Sequence, residues 1–164
     1  MKIRHIILSW DFFLSLIITL VTALFIPSWL KIGFCSSFYN VGITVLSIIF
    51  SLFFAALAII MTSSDNEFIE FLEENGDFKA LLDTFKVTLI MLFVSLIYSI
   101  VLYVCSEYIA KHVAETAIQH KIFFLIFEFL FMYSMLATAL SVKDTIVFSD
   151  FRSRYLKGKR NNNK

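Results

Sequence analysis

Four long apolar runs most constrain what this 164-residue chain can fold into. Each run has roughly the 20 residues that an α-helix needs to cross a hydrocarbon core about 30 Å thick. Only 16% of the residues are charged, too few to cover so much apolar surface in a soluble domain of this size. We therefore predict an all-α fold, an integral membrane four-helix bundle that forms one transmembrane domain over residues 1–164. The predicted spans are residues 12–29, 41–61, 87–105 and 122–142.

A hydrophilic stretch, residues 63–86, separates the runs into two hairpins and holds seven of the thirteen acidic residues. We call it the connector. Ser64 and Glu67 have the spacing of a capping box, which marks a helix start. Gly76 is typical of a helix end, and Asp77 is typical of a new N-cap. The connector therefore predicts a short amphipathic helix, followed by a third long helix that begins at Asp77, ahead of its span.

The short amphipathic helix of the connector is a candidate docking surface for a cytosolic protein. Its apolar side chains recur at helical spacing, and acidic side chains flank them. The candidate contact residues are Phe68, Glu70, Phe71, Leu72, Glu73 and Glu74.

The distribution of Lys and Arg predicts which side of the membrane each loop faces. With a cytoplasmic N-terminus, eleven of the fourteen basic residues lie inside and three lie outside. We therefore expect both termini, the connector and the basic tail of residues 143–164 to be cytoplasmic. The tail has a net charge of +5 and the connector −5. The tail suits anionic lipid better than nucleic acid, and an attraction between tail and connector is a further interpretation.

Small polar side chains form stripes along the predicted spans. Ser15, Thr19 and Thr22 fall on one face of span 1, and Ser47 and Ser51 fall on one face of span 2. Small and hydroxyl residues allow helices to approach closely in lipid, within one chain or between subunits. A second interpretation is that one stripe lines an aqueous pore in an oligomer.

Glu128 is the one acidic or basic residue well inside a predicted span. A charged group at that depth should face protein or water, or become neutral. It could reach the outer interface or bond a neighbouring helix. The functional alternatives are a ring of acids at a pore mouth and a proton-linked site.

No phosphate-binding, dinucleotide, zinc-protease or nucleophile-elbow motif occurs in the sequence, so we predict a protein that is not an enzyme and has no cofactor. His112, Glu115 and His120 match no metal-ligand template, and we interpret them as surface residues rather than a metal site. Cys35 and Cys105 are both expected at the outer face, either as two free thiols or as a disulfide between the hairpins.

The layout of short termini, four spans and an acidic helical connector between spans 2 and 3 resembles the small membrane subunits of bacterial anti-phage defence systems. The membrane component of Kiwa is the first of these and the channel-like effector of Hailong the second. The resemblance is architectural, covers the whole chain and assigns no residue a role. It implies a homo-oligomer in the bacterial inner membrane that works with a cytosolic partner encoded beside it. Separately, a tetramer is one candidate for the oligomer.

These features leave two main functions open. The first is a homo-oligomeric inner-membrane sensor or scaffold that docks a cytosolic partner, in anti-phage defence. The alternative is an oligomeric ion channel or membrane-depolarising effector, in which a polar stripe and Glu128 line a pore. A small transporter is a third interpretation.

Overall fold

The computed structural model of the chain describes residues 10–62, 77–113 and 117–162. These residues form four helices and one two-stranded sheet, which confirms the all-α class. The elements in chain order are α1 (Trp10–Phe25), β1 (Trp29–Lys31), α2 (Ile32–Thr62), α3 (Asp77–His112), β2 (Ile118–His120) and α4 (Lys121–Asn162).

Three helices, α2, α3 and α4, are long and apolar enough to cross a membrane, with windows of mean hydropathy 2.5, 2.5 and 2.0. The chain is therefore compatible with a multi-pass membrane protein. The fourth helix, α1, is apolar but has only 16 residues, or about 24 Å at 1.5 Å per residue. It ends at Phe25, close to Pro27, because the ring of a proline disfavours helical geometry at the residue before it.

Between the predicted spans 1 and 2 the sequence predicts a short outer loop over residues 31–40. This is wrong, because these residues form the end of β1 and the first turns of α2. Packing explains the difference. Cys35 and Tyr39 are fully buried in a core cluster with Leu30, Phe124 and Phe127, so tertiary contacts extend the helix beyond the apolar run. Helix α3 continues past Cys105 to His112.

A short antiparallel sheet ties the two hairpins together. Trp29 of β1 pairs with His120 of β2, and Lys31 pairs with Ile118. We call this the sheet end of the molecule. The opposite end, where α2 stops at Thr62 and α3 starts, is the connector end. Within the described residues, α3 runs from Asp77.

The helices pack in the order α2, α3, α4, α1, since α2 lies mainly against α3, α3 against α4, and α1 against α4. One core cluster lies towards the sheet end. A second, nearer the connector end, is formed by Leu46, Phe53, Phe85 and Leu92.

Helices α3 and α4 meet through two pairs of hydroxyl side chains. Thr88 Oγ1 lies 2.9 Å from Ser141 Oγ, and Ser95 Oγ lies 2.6 Å from Ser134 Oγ. The two pairs are seven residues apart on each helix, which is about two helical turns. The two helices run antiparallel. All four residues are buried, so this polar seam is a packing contact within the chain.

Candidate functional site

The polar stripe of α1 faces α4 rather than open space. Ser15 is fully buried, and its hydroxyl donates to the carbonyl of Asp11 at 2.6 Å. The Thr19 hydroxyl donates to the carbonyl of Ser15 at 2.9 Å. Aromatic contacts of Phe12 with Phe129 and Tyr133 hold the same face of α1 against α4.

Thr22, the last hydroxyl residue of this stripe, reaches across to Glu128 on α4. Its hydroxyl donates to Glu128 Oε1 at 2.6 Å. The other oxygen, Oε2, is buried and has no hydrogen-bond partner within the described part of the chain. The sequence indicated Thr22 as part of a polar stripe and Glu128 as an acidic residue inside a predicted span. The structure brings the two side chains together, although they are 106 residues apart in the chain.

The contact lies where α1 ends. The Lys121 Nζ donates to the carbonyl of Ala23 at 3.3 Å, which is one of the last carbonyls of α1 and has no helical N–H to bond it. A cation at this point also favours the negative end of the helix dipole. Lys121 and Glu128 are two turns apart on α4, about 10 Å along its axis, so both residues hold α1 in place.

The ionised form of Glu128 is expensive in this position. On insertion scales an acidic side chain costs about 2.5 to 3.5 kcal/mol at the centre of a spanning helix, which sets an upper bound for Glu128, seven residues from the start of α4. One neutral hydrogen bond in a membrane protein recovers about 0.6 kcal/mol on average, so Thr22 alone does not offset the charge.

Across the residues that the structure describes, no group of three potential metal ligands occurs.

The polar stripe of α2 has a different environment. Thr44 and Ser51 are exposed and Ser47 is half-buried. The hydroxyls of Thr44 and Ser51 donate to the carbonyls of Asn40 and Ser47 in their own helix, at 3.0 and 2.9 Å. The hydroxyls of Thr44 and Ser51 are therefore accessible to lipid or a second subunit.

Two polar contacts near the sheet end were missed by sequence reasoning. The Ser36 hydroxyl donates to Glu107 Oε1, and the Tyr39 hydroxyl lies 3.5 Å from Gln119 Oε1. Ser36 and Tyr39 lie in a segment predicted as a loop, so no helical face was assigned to them. Cys35 and Cys105 are both free thiols, the first buried and the second exposed.

Helix α4 continues well beyond its apolar run. It has 42 residues, or about 63 Å, roughly twice the thickness of a hydrocarbon core. We call its polar part, residues 143–162, the α4 extension. Ile146 and Phe151 on this extension are 59% and 58% exposed. A cavity of about 240 Å³ is lined by Val147, Asp150, Phe151 and Arg154.

The six candidate docking residues of the connector fall outside the described residues. They are Phe68, Glu70, Phe71, Leu72, Glu73 and Glu74.

No protein-family model, curated protein or solved structure matches this chain.

Proposed function

We propose that the protein is a membrane-embedded sensor or scaffold subunit that docks a cytosolic partner at its connector end. One observation supports this most strongly, namely the exposed apolar face of the α4 extension. Ile146, Val147 and Phe151 are all exposed there, on a stretch that also carries Lys143, Asp144, Asp150 and Arg154 and is too polar for the hydrocarbon core.

A helix that leaves the membrane with an exposed apolar strip is suited to a partner protein. Val147, Asp150, Phe151 and Arg154 have the i, i+3, i+4, i+7 spacing of one helical face, and the same four residues line the cavity. Apolar anchors flanked by charges of both signs are typical of helical protein-recognition sites. The acidic connector leaves from the same end of the molecule, and its candidate residues belong to the same proposed surface.

The first prediction concerns Phe151. We expect Phe151→Asp to weaken retention of the cytosolic partner roughly tenfold or more, since burying a Phe contributes about 1.5 to 3 kcal/mol and each 1.4 kcal/mol is tenfold in affinity. The measurement is co-purification with the protein encoded by the adjacent gene, after expression of both from their native gene pair. A triple change of Glu70, Glu73 and Glu74 to Lys should release the same partner.

Ser153→Asp is the matched control for Phe151→Asp. Ser153 is exposed on the same extension but lies about 200° around the helix from Phe151, and the change adds the same charge. The control should retain the partner. Undiminished binding by Phe151→Asp would remove the α4 extension from the docking surface. The resemblance to anti-phage subunits makes phage challenge of cells carrying these variants the corresponding test in vivo.

An oligomeric ion channel is a second candidate, favoured by the outward-facing hydroxyls of Thr44 and Ser51 on α2. The stripe of α1 faces α4 and the α3–α4 seam is closed by hydrogen bonds, so a homo-oligomer would have to line its pore with α2. We expect purified protein to conduct in a planar bilayer under this hypothesis, and Ser51→Leu to reduce the current by narrowing and drying the pore. Silence of verified, incorporated wild-type protein would exclude the channel function.

A further inference from the structure

The Thr22 hydroxyl behaves unlike its neighbours on α1. Ser15 and Thr19 donate to carbonyls four residues back in their own helix, which is the usual arrangement for hydroxyl side chains inside apolar helices. Thr22 instead donates to Glu128 Oε1 on another helix, at 2.6 Å. The contact is thus a specific link between α1 and a carboxyl group.

Among the residues that the structure describes, the Glu128 carboxyl is bonded by a neutral hydroxyl, that of Thr22, and not by a cation. Helix α2, Ile32–Thr62, has no charged residue at all. Helix α3 has none between Lys86 and Glu107, and Glu107 accepts a hydrogen bond from Ser36 at the sheet end. On α4 itself, the Lys121 ammonium donates to the carbonyl of Ala23.

Other titratable groups on the packed helices include an acid and two phenols. Asp11 on α1 is acidic, eleven residues before Thr22. Tyr98 on α3 donates to the carbonyl of Phe123 at 3.4 Å. Tyr133 on α4 packs against the rings of Phe12 and Phe129. None of these groups offsets a negative charge on Glu128.

The two protonation states of Glu128 therefore differ sharply in what they leave unsatisfied. The carboxylate leaves a whole charge without a bonded cation among the described residues, with Oε2 buried and unbonded there. The neutral acid leaves one O–H without an acceptor, which is a much smaller penalty in a low-dielectric medium. A proton on Oε2 removes the charge and leaves the Thr22 bond to Oε1 intact.

We propose that Glu128 is a proton-binding site at the contact between α1 and α4. The proton comes from water, adds to Oε2 and converts the carboxylate to a neutral acid. The net charge of each chain therefore rises by one. A metal cation is a poor alternative ligand, because hard cations take six or more oxygen ligands and this site offers one carboxyl group and one hydroxyl group. The proposal does not depend on the docking function.

Modification by dicyclohexylcarbodiimide tests the proposal, because this apolar reagent adds to protonated carboxyl groups in membranes. We expect the full-length protein in lipid nanodiscs at neutral pH to acquire one adduct per chain, and peptide mass spectrometry to place it on Glu128. Labelling should fall as the pH is raised, because the proton leaves. Sodium, potassium or calcium ions at constant pH should not protect the site.

Two variants sharpen the test. Glu128→Gln keeps an oxygen that can accept from Thr22 and should lose the adduct. Glu107→Gln removes the half-buried carboxyl at the sheet end and should label like the wild type. Adducts on other carboxyls with none on Glu128 of the wild type would overturn the proposal, and so would protection by a metal cation. Mapping on the wild type keeps the test decisive even if Glu128→Gln does not fold.

Discussion

Replacing Gly42 with valine should destabilise the folded protein by about 2 kcal/mol, within the range for overpacked cores. A Cβ atom on Gly42 would lie 2.6 Å from Cζ and 2.8 Å from Cε2 of Phe127. The Phe127 ring cannot move away freely, because it is only 2% exposed and packs at 4.9 Å from the ring of Tyr39 and 5.9 Å from that of Phe131. Gly42 thus allows α2 to approach α4 closely.

The measurement is the free energy of unfolding in mixed micelles titrated with dodecyl sulfate. Gly33→Val is the matched control, since no atom lies within 4 Å of a Cβ built on Gly33 of the same helix. Its effect should stay within about 0.5 kcal/mol. Phe127→Leu should partly rescue Gly42→Val, so that the double variant is less destabilised than the sum of the two single changes. Strict additivity would show that Gly42 and Phe127 do not limit each other.

The parts of the fold that were predictable from sequence depend on local signals. Three apolar runs became helices long enough to cross a membrane, because length and hydropathy are properties of a single segment. Span 1 was predicted over residues 12–29, whereas α1 ends at Phe25, because Pro27 disfavours helical geometry at the residue before it.

The rest depends on contacts between distant segments. Strands of three residues, such as Trp29–Lys31, are too short to show an alternating pattern, and β1 exists because β2 lies beside it. A polar stripe indicates which face of a helix packs against another helix or lines a pore, but it does not indicate which helix that face contacts. Thr22 was therefore recognised as a stripe residue, while its bond to Glu128 required knowledge that α1 packs on α4.

Replacing Ser134 with leucine should destabilise the protein by about 3 kcal/mol. Ser134 is fully buried, and its hydroxyl lies 2.6 Å from that of Ser95 and donates to the carbonyl of Met91 at 3.3 Å. A longer apolar side chain would push α3 and α4 apart, at about 1 to 3 kcal/mol for overpacking, and would remove hydrogen bonds worth about 0.6 kcal/mol each. Unfolding in the same micelles measures the effect.

Two further variants separate the packing contribution from the hydrogen-bond contribution. Ser134→Ala removes the hydroxyl without adding volume and should cost about 1 kcal/mol or less. Ser51→Leu makes the same change as Ser134→Leu on the exposed face of α2, and its effect on one isolated chain should stay within about 0.5 kcal/mol. Equal losses for Ser134→Leu and Ser51→Leu would contradict a packing role specific to the α3–α4 seam. A loss for Ser51→Leu that grows with protein concentration would instead show that the outward face of α2 contacts a second copy of the chain, since only assembly makes stability concentration-dependent.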